Sequence, residues 1–145
     1  MKSSKDLGLT LLRAIVGIVF LAHGFQKFFM VGIDGVTGAF TQMGIPFPHL
    51  SAYLAASAEF FGGLALLLGL FTRFAAIPVA VTMIVAILQV HLKGGFFAPQ
   101  GVEYPLTLLI ANIALVLAGG GAFALDNVLL RRSSGREQRF AAEAA

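Results

Sequence analysis

Residues 50–71 have the sequence LSAYLAASAEFFGGLALLLGLF, in which Glu59 is the one charged residue. A helix that crosses a bilayer needs about 20 mostly apolar residues, because hydrocarbon offers the backbone no hydrogen-bond partners and a helix satisfies its own. This stretch meets that requirement. Three further segments do so as well: residues 7–29, 74–92 and 104–125. The sequence therefore predicts an all-α integral membrane protein, a bundle of four crossing helices.

The composition supports this fold class. Of the 145 residues, 58% are hydrophobic and 12% are charged, whereas a soluble domain averages roughly half apolar and a quarter charged. The net charge of +3 does not indicate nucleic-acid binding, because the basic residues border apolar blocks instead of forming a face. Cysteine is absent, which excludes thiolate metal sites and covalent haem attachment in this chain. Any redox role must therefore use a bound cofactor.

Short polar connections separate the four apolar segments. The first connection, residues 30–49, is rich in glycine and proline, which disfavour a helix and favour turns. The second is only about Thr72 and Arg73, so the second and third helices are expected to be antiparallel neighbours. Residues 93–103 form another predicted loop. The membrane domain is thus expected to cover residues 1–130.

The basic residues predict the orientation of the bundle. Eight of the ten lysines and arginines fall on one predicted side, and Lys27 and Lys93 fall on the other. The first group is Lys2, Lys5, Arg13, Arg73, Arg131, Arg132, Arg136 and Arg139. By the positive-inside rule, both termini are then cytoplasmic, an N-in/C-in topology. Residues 131–145 are expected to be a polar, disordered cytoplasmic tail that anchors this topology.

Glu59 is the clearest candidate for a functional residue. A charged side chain at mid-bilayer costs about 2.5–3.5 kcal/mol on insertion scales, so it usually faces protein or water and has a partner. A rotation of about 100° per residue places small side chains on the same helical face. They are Ala52, Ala55, Ala56, Gly62 and Gly63. Small residues admit a neighbouring helix closely, so Glu59 is predicted to face the bundle interior.

The first helix carries a matching arc, whose members are Arg13, Gly17, Phe20, Gly24 and Lys27, with His23 at its edge. The long side chain of Arg13 is expected to reach towards Glu59. Snorkelling of its guanidinium to the cytoplasmic surface is the alternative.

The predicted orientation also collects polar residues at the outer end of the bundle: His23, Gln26, Lys27, Gln89, His91, Lys93, Glu103 and Tyr104. With Glu59 at their base, they predict a polar pocket open to the periplasm. Glu59, His23 and His91 are the candidate catalytic, proton-exchanging group. The candidate cofactor-binding residues are Arg13, Lys27, Glu103 and Tyr104.

Other interpretations of these residues stay open. Taken alone, each histidine is better explained as an ordinary interfacial residue, and it is their combination with Glu59 on one side that supports the functional interpretation. Haem ligation by the two histidines, or a metal held by His and Glu, is a weaker alternative because no fixed ligand spacing is present. No metal site is therefore predicted.

An ordered set of short motifs runs from about residue 9 to residue 126. The set is Leu12-Arg13, Gly17, Phe20, His23-Gly24, Lys27, Glu59, Gly62-Gly63, the GLFTR of residues 69–73, His91, Gly95-Phe96-Phe97 and Glu103-Tyr104. Together they resemble the DoxX family. The resemblance implies a four-helix protein of the bacterial inner membrane that is an oxidoreductase or a membrane subunit of an oxidoreductase complex. The family's link to respiratory, quinone-coupled oxidation implies a quinone partner. Residues 119–126 depart from the family's usual Gly-Pro-Gly turn, so no function is placed there.

Three functions are consistent with these expectations. The first is a quinone-linked redox subunit, in which His and Glu exchange protons with the quinone oxygens while another subunit or a soluble donor supplies electrons. The second is a small proton-coupled transporter that uses Glu59 as its coupling carboxylate and forms a homo-oligomer to enclose a path. The third is a membrane scaffold that recruits an envelope enzyme.

Overall fold

The computed structural model describes residues 4–127, and the predicted tail, residues 131–145, lies outside them. The described chain forms five α-helices: α1 (Ser4–Phe25), α2 (Gly32–Gln42), α3 (Pro48–Leu68), α4 (Thr72–Ala86) and α5 (Glu103–Ala118). A π-helical turn, Gln26–Met30, extends α1. A second one, Ile87–His91, extends α4 and is followed by a 3₁₀ turn. The described residues contain no strand, which confirms the all-α prediction.

Three helical stretches are long and apolar enough to cross a membrane: Ser4–Met30, Pro48–Leu68 and Thr72–Gly94. Large apolar side chains cover the outside of the bundle, among them Leu11, Phe61 and Leu117. Such a belt is unfavourable in water and is expected where the surrounding solvent is hydrocarbon. The chain is therefore an integral membrane protein, as predicted.

The helix α5 is apolar but shorter, with 16 residues. It ends at Ala118, short of the predicted residue 125. The next residue, Gly119, has a φ of +82°, a backbone conformation that glycine adopts without steric cost and that ends a helix. Asp126 lies beyond this exit and accepts hydrogen bonds from Phe71 N and Thr72 N, at 2.8 and 3.3 Å. It thereby caps the start of α4 rather than extending α5.

The first connection contains a helix that the sequence analysis did not predict. The helix α2 contains three glycines, Gly32, Gly35 and Gly38, and each glycine disfavours a helix by about 1 kcal/mol relative to alanine. Packing against α3 overrides that preference, because most helix stability in proteins comes from tertiary contacts. The buried residue of α2 is Val36. Gly44, with a φ of +71°, ends the turn that follows.

The bundle is built around the contact between α1 and α3. A Cβ atom on Gly24 would overlap the backbone of Phe60, and one on Gly63 would overlap Leu21 N. Glycine at these points lets the two backbones touch, which is how helices associate closely in lipid. The small-residue face predicted for Glu59's helix therefore receives two neighbours, α1 at Gly63 and α4 at Gly62. Further packing of α3 on α4 and of α4 on α5 completes the bundle.

The two ends of the bundle differ. The turn end carries the start of α1, the α3–α4 turn at residues 69–71 and the segment after α5. The α2 end carries α2 and the loop of residues 95–102. Between them lies an apolar core made of Val16, Phe20, Leu66, Ala76, Val79, Met83, Leu108 and Leu115.

Candidate functional site

A cavity of about 1080 Å³ follows the seam between α3 and α4 and extends to α1 and α5. Its polar lining residues are His23, Lys27, Ser51, Ser57, Glu59, Thr82, Gln89, His91 and Tyr104. The rest of the lining is apolar. The cavity therefore brings Glu59 together with four of the other predicted site residues, namely His23, Lys27, His91 and Tyr104.

Lys27 and Glu59 form an ion pair inside this cavity, between Lys27 Nζ and Glu59 Oε2. The Glu59 side chain is only 6% exposed and that of Lys27 is 21% exposed. An unpaired carboxylate would be costly at such a buried position, so the ammonium group compensates most of that cost. The pair is electrically neutral as a unit, and it keeps a proton donor and a carboxylate side by side.

The close contact of α1 and α3 positions this pair. Gly24 touches Phe60 backbone to backbone, so the turn that follows Gly24 lies against the residues around position 59. Lys27 stands in that turn, which is π-helical. Phe28 also packs edge-on against Phe60, with ring centroids 5.9 Å apart. Phe28 and Phe60 directly follow Lys27 and Glu59 in sequence, so this apolar contact holds the turn against α3 beside the ion pair.

The other end of the polar lining comes from the second π-helical turn. His91 and Gln89 both lie in it, and π turns are frequent at functional sites. His91 Nδ1 is 3.0 Å from the carbonyl oxygen of Gln100. A carbonyl can only accept a hydrogen bond, so this contact requires a proton on Nδ1 and leaves Nε2 available to a ligand.

His23 and Tyr104 complete the polar lining. His23 lines the cavity and is also exposed on the outside of the bundle, one helical turn before Lys27. Tyr104 lies in the first turn of α5. These residues reach the cavity from two different helices, so its polar lining surrounds the ion pair from more than one side.

Arg13 corrects one expectation. Its guanidinium does not reach towards Glu59: Nη1 donates to the carbonyl oxygens of Leu66 and Leu67 at 2.9 and 2.8 Å, and Nε donates to Gly120 O at 3.2 Å. The residue is only 4% exposed, so it does not snorkel either. The last carbonyls of a helix lack partners within that helix. Arg13 supplies hydrogen-bond donors to such carbonyls at the end of α3 and to Gly120 O after α5. It thereby links α1 to the ends of both helices.

Two other polar residues lie off the main cavity. Glu103 is not among its lining residues, and its backbone N–H donates to Phe96 O at 2.9 Å. Lys93 instead lines a smaller cavity of about 430 Å³, which also contacts His91 and Gln100. Within residues 4–127, no three His, Asp or Glu side chains come together as a possible metal site.

One part of the cavity, contributed by the first connection, was not predicted from the sequence. Its lining residues there are Phe40, Met43, Ile45 and Pro46. A signal was present, because Ile33, Val36 and Phe40 have the i, i+3, i+7 spacing of one apolar helix face. The predicted pocket is thus lined by apolar side chains at its α2 end, where water-facing loops were expected.

Comparisons with known proteins point to one family. The DoxX family model matches residues 8–92. The chain is 38% identical over 126 residues to "Putative oxidoreductase CatD" of Bacillus subtilis (strain 168), covering 87% of this chain and 90% of that protein. It is 35% identical to an uncharacterized membrane protein of Mycobacterium tuberculosis, covering 85% and 82% of the two chains. It is 32% identical to the inner membrane protein YphA of Escherichia coli (strain K12), covering 86% and 91%. No solved structure matches the chain.

Proposed function

Since this chain belongs to the DoxX family, we propose that it is the membrane subunit of a quinone-linked oxidoreductase. Its place is the bacterial inner membrane, which it crosses four times with both termini in the cytoplasm. The name of the Bacillus subtilis relative includes an oxidoreductase, and that of the Escherichia coli relative includes the inner membrane. Both names support the proposal.

The observation that carries the proposal is the Lys27–Glu59 pair, which lies in an otherwise largely apolar cavity of a membrane bundle. A quinone has an apolar ring system with two carbonyl oxygens that accept hydrogen bonds. Ligand sites typically combine an apolar lining with a few polar groups that fix orientation. This cavity has that combination.

The chemistry assigned to the site is proton exchange. Reduction of a quinone to a quinol takes two electrons and two protons. Glu59, a carboxylate in the ion pair, would first take up a proton and then give it to a quinone oxygen, while Lys27 would stabilise the carboxylate that is restored. A second uptake and transfer by the same route would supply the other proton. His23 and His91 would connect the cavity to protons of the aqueous phase. Arg13 takes no part in this step, because its donors are committed to carbonyl oxygens at the turn end.

In this proposal the electrons come from outside the chain. Cysteine is absent, so cysteine-ligated iron–sulfur clusters have no ligands here. The proposed electron donor is another oxidoreductase subunit or a soluble reductant. This chain would bind the quinone and manage its protons.

Binding of a short-tailed quinone to purified protein in lipid nanodiscs tests the proposal. We expect saturable binding of the quinone, and we expect Glu59→Gln to weaken it at least about tenfold. The matched control is Asp34→Asn, on the exposed surface of α2, which should leave binding unchanged. Helicity and elution volume check that each variant folds. Tyr104→Phe, which removes a lining hydroxyl and no charge, is the second variant should Glu59→Gln not fold.

Two results would overturn the proposal. One is the absence of saturable quinone binding to the wild-type protein. The other is equal binding by the wild type and folded Glu59→Gln and Tyr104→Phe variants. Substrate-dependent proton movement in proteoliposomes, lost in Glu59→Gln but independent of quinone, would support a proton-coupled transporter in its place.

A further inference from the structure

We propose that the ligand of the Lys27–Glu59 pair reaches it sideways from the bilayer, through the seam between α3 and α4, and that the deep part of this seam holds the ligand's isoprenoid tail. The inference rests on the proposed function and adds the route and the binding site of the tail. The proposed route distinguishes a ligand that enters the cavity from the lipid from a ligand that enters from water.

The cavity lining changes character along the seam. The polar lining residues Ser51, Gln89 and His91 lie towards the α2 end, in the same cavity as the ion pair and beside apolar residues of the first connection. Deeper, towards the turn end, the lining residues are apolar: Phe61, Gly62, Ala65, Ala75, Pro78 and Val81. A ligand that matches this division has a polar head at the α2 end and a hydrocarbon chain pointing towards the turn end.

The length of the seam also fits a chain-like group. The lining of α3 extends from Ser51 to Ala65, which at 1.5 Å per residue is roughly 20 Å. The helices α3 and α4 meet at Gly62, where an added Cβ atom would lie 2.6 Å from Val79 Cγ2. Beside that contact, small side chains on both helices leave the groove open. Alanine and glycine there cannot fill the space that a branched hydrocarbon chain can fill.

The seam is open towards the lipid. Phe61 and Val81 line the cavity and are nevertheless 61% and 52% exposed on the outside of the bundle. They lie on facing helices, within the stretches that are long and apolar enough to cross a membrane. At the α2 end, the lining also includes the apolar side chains of Met43 and Ile45, which belong to the first connection. A ligand in the hydrocarbon layer can therefore reach the ion pair without passing through water.

A bulk phospholipid chain is a less suitable occupant than an isoprenoid tail. The groove leads directly to a neutral ion pair and uncharged donors. A phosphate headgroup would compete with Glu59 for Lys27 and leave one of two adjacent anions without its counter-ion, whereas an uncharged quinone ring leaves the pair intact. Like charges at close range in a poorly solvated site are costly. The occupant proposed is thus the tail of a quinone.

Photocrosslinking tests the route. A long-tailed quinone with a diazirine at the end of its tail is added to the protein in phospholipid nanodiscs, and the crosslinked residues are mapped by mass spectrometry. We expect crosslinks to concentrate at Ala65, Ala75 and Val81 and to be competed by unlabelled long-tailed quinone. Crosslinks spread evenly over lipid-facing positions such as Ile77 and Ile84 would overturn the inference.

A matched pair of variants adds a binding measurement. Val81→Trp fills the seam, whereas Ile77→Trp adds the same bulk at an exposed position of α4 outside the lining. We expect Val81→Trp to weaken binding of the long-tailed quinone about tenfold or more and to leave a tail-less quinone unaffected. Ile77→Trp should change neither. Equal effects of both variants on the long-tailed quinone would contradict the inference.

The two proposals fail in different ways. If the tail-less quinone binds in a Glu59-dependent manner but crosslinks do not concentrate in the seam, the proposed function stands and the lateral route is wrong. If crosslinks concentrate in the seam while the tail-less quinone does not bind, the seam holds a tail and the quinone chemistry is wrong.

Discussion

Lys27 on α1 and Glu59 on α3 form an ion pair whose two members are unequally buried, with the carboxylate 6% exposed and the ammonium side chain 21% exposed. The inequality matters because an unpaired charge costs most where water is least accessible. Losing its partner should therefore cost more free energy for Glu59 than for Lys27. The pair therefore links the stability of the bundle to the chemistry of its cavity.

Removing the two partners separately should have unequal effects on stability. Lys27→Met leaves a buried carboxylate without its counter-ion, which costs about 3–5 kcal/mol. Glu59→Gln leaves an ammonium group that can extend towards water, so its cost should be clearly smaller. The double variant should recover much of the loss of Lys27→Met. Thermal unfolding in one detergent measures all three, and equal losses for the two single variants would contradict this account.

The glycines at the α1–α3 contact should tolerate no side chain. Gly63→Ala and Gly24→Ala each place a methyl group against the backbone of the other helix, which no rotamer change relieves. We expect a loss of about 1–3 kcal/mol for each. Gly8→Ala is the matched control, because nothing lies within 4 Å of its Cβ position and alanine favours a helix. A stability loss at Gly8 equal to that at Gly63 would show that glycine flexibility, not close contact, is required.

Arg13 should contribute to stability and not to ligand binding. Arg13→Gln removes the side-chain donor to the carbonyl oxygens of Leu67 and Gly120, and each buried unpaired group costs about 1–3 kcal/mol. Leu66 O loses one donor as well but keeps its hydrogen bond from Gly69 N. Arg13→Lys should recover only part, because an ammonium group cannot reproduce the fork of the guanidinium. Arg73→Gln, at an exposed position, is the control. A folded Arg13→Gln variant that loses quinone binding while keeping its unfolding temperature would contradict this role.

Much of the fold could be predicted from the sequence. Long apolar segments indicate membrane helices because the bilayer imposes a length, and the small residues around Glu59 indicate which face of α3 meets a neighbour. The helix α2 was not predicted because its glycines disfavour a helix locally and only its contact with α3 stabilises it. Local preference and tertiary packing disagree there, and packing prevails.

The partner of Glu59 could not be predicted from the arc of α1 alone. Arg13 and Lys27 lie on the same face of that helix, so both satisfy the pattern. The register of α1 against α3 decides between them, and it is set by the contact of Gly24 with Phe60. That register places Arg13 beside Leu66 and Leu67, at the far end of α3 from the cavity's polar lining. Helical periodicity identifies a face, but it does not fix the axial alignment of two helices.

The proposed orientation can be tested with the chain as it is, because it contains no cysteine and single cysteines can be introduced without background. Asp34 and Lys93 are exposed at the α2 end, and Arg73 is exposed near the α3–α4 turn. If both termini are cytoplasmic, Asp34→Cys and Lys93→Cys should react with a membrane-impermeant maleimide in intact spheroplasts. Arg73→Cys should react only after the membrane is permeabilised, since basic residues near helix ends favour the cytoplasmic side. The reverse labelling would place the cavity's polar lining nearer the cytoplasm, and the protons of the proposed reaction would then exchange with that compartment.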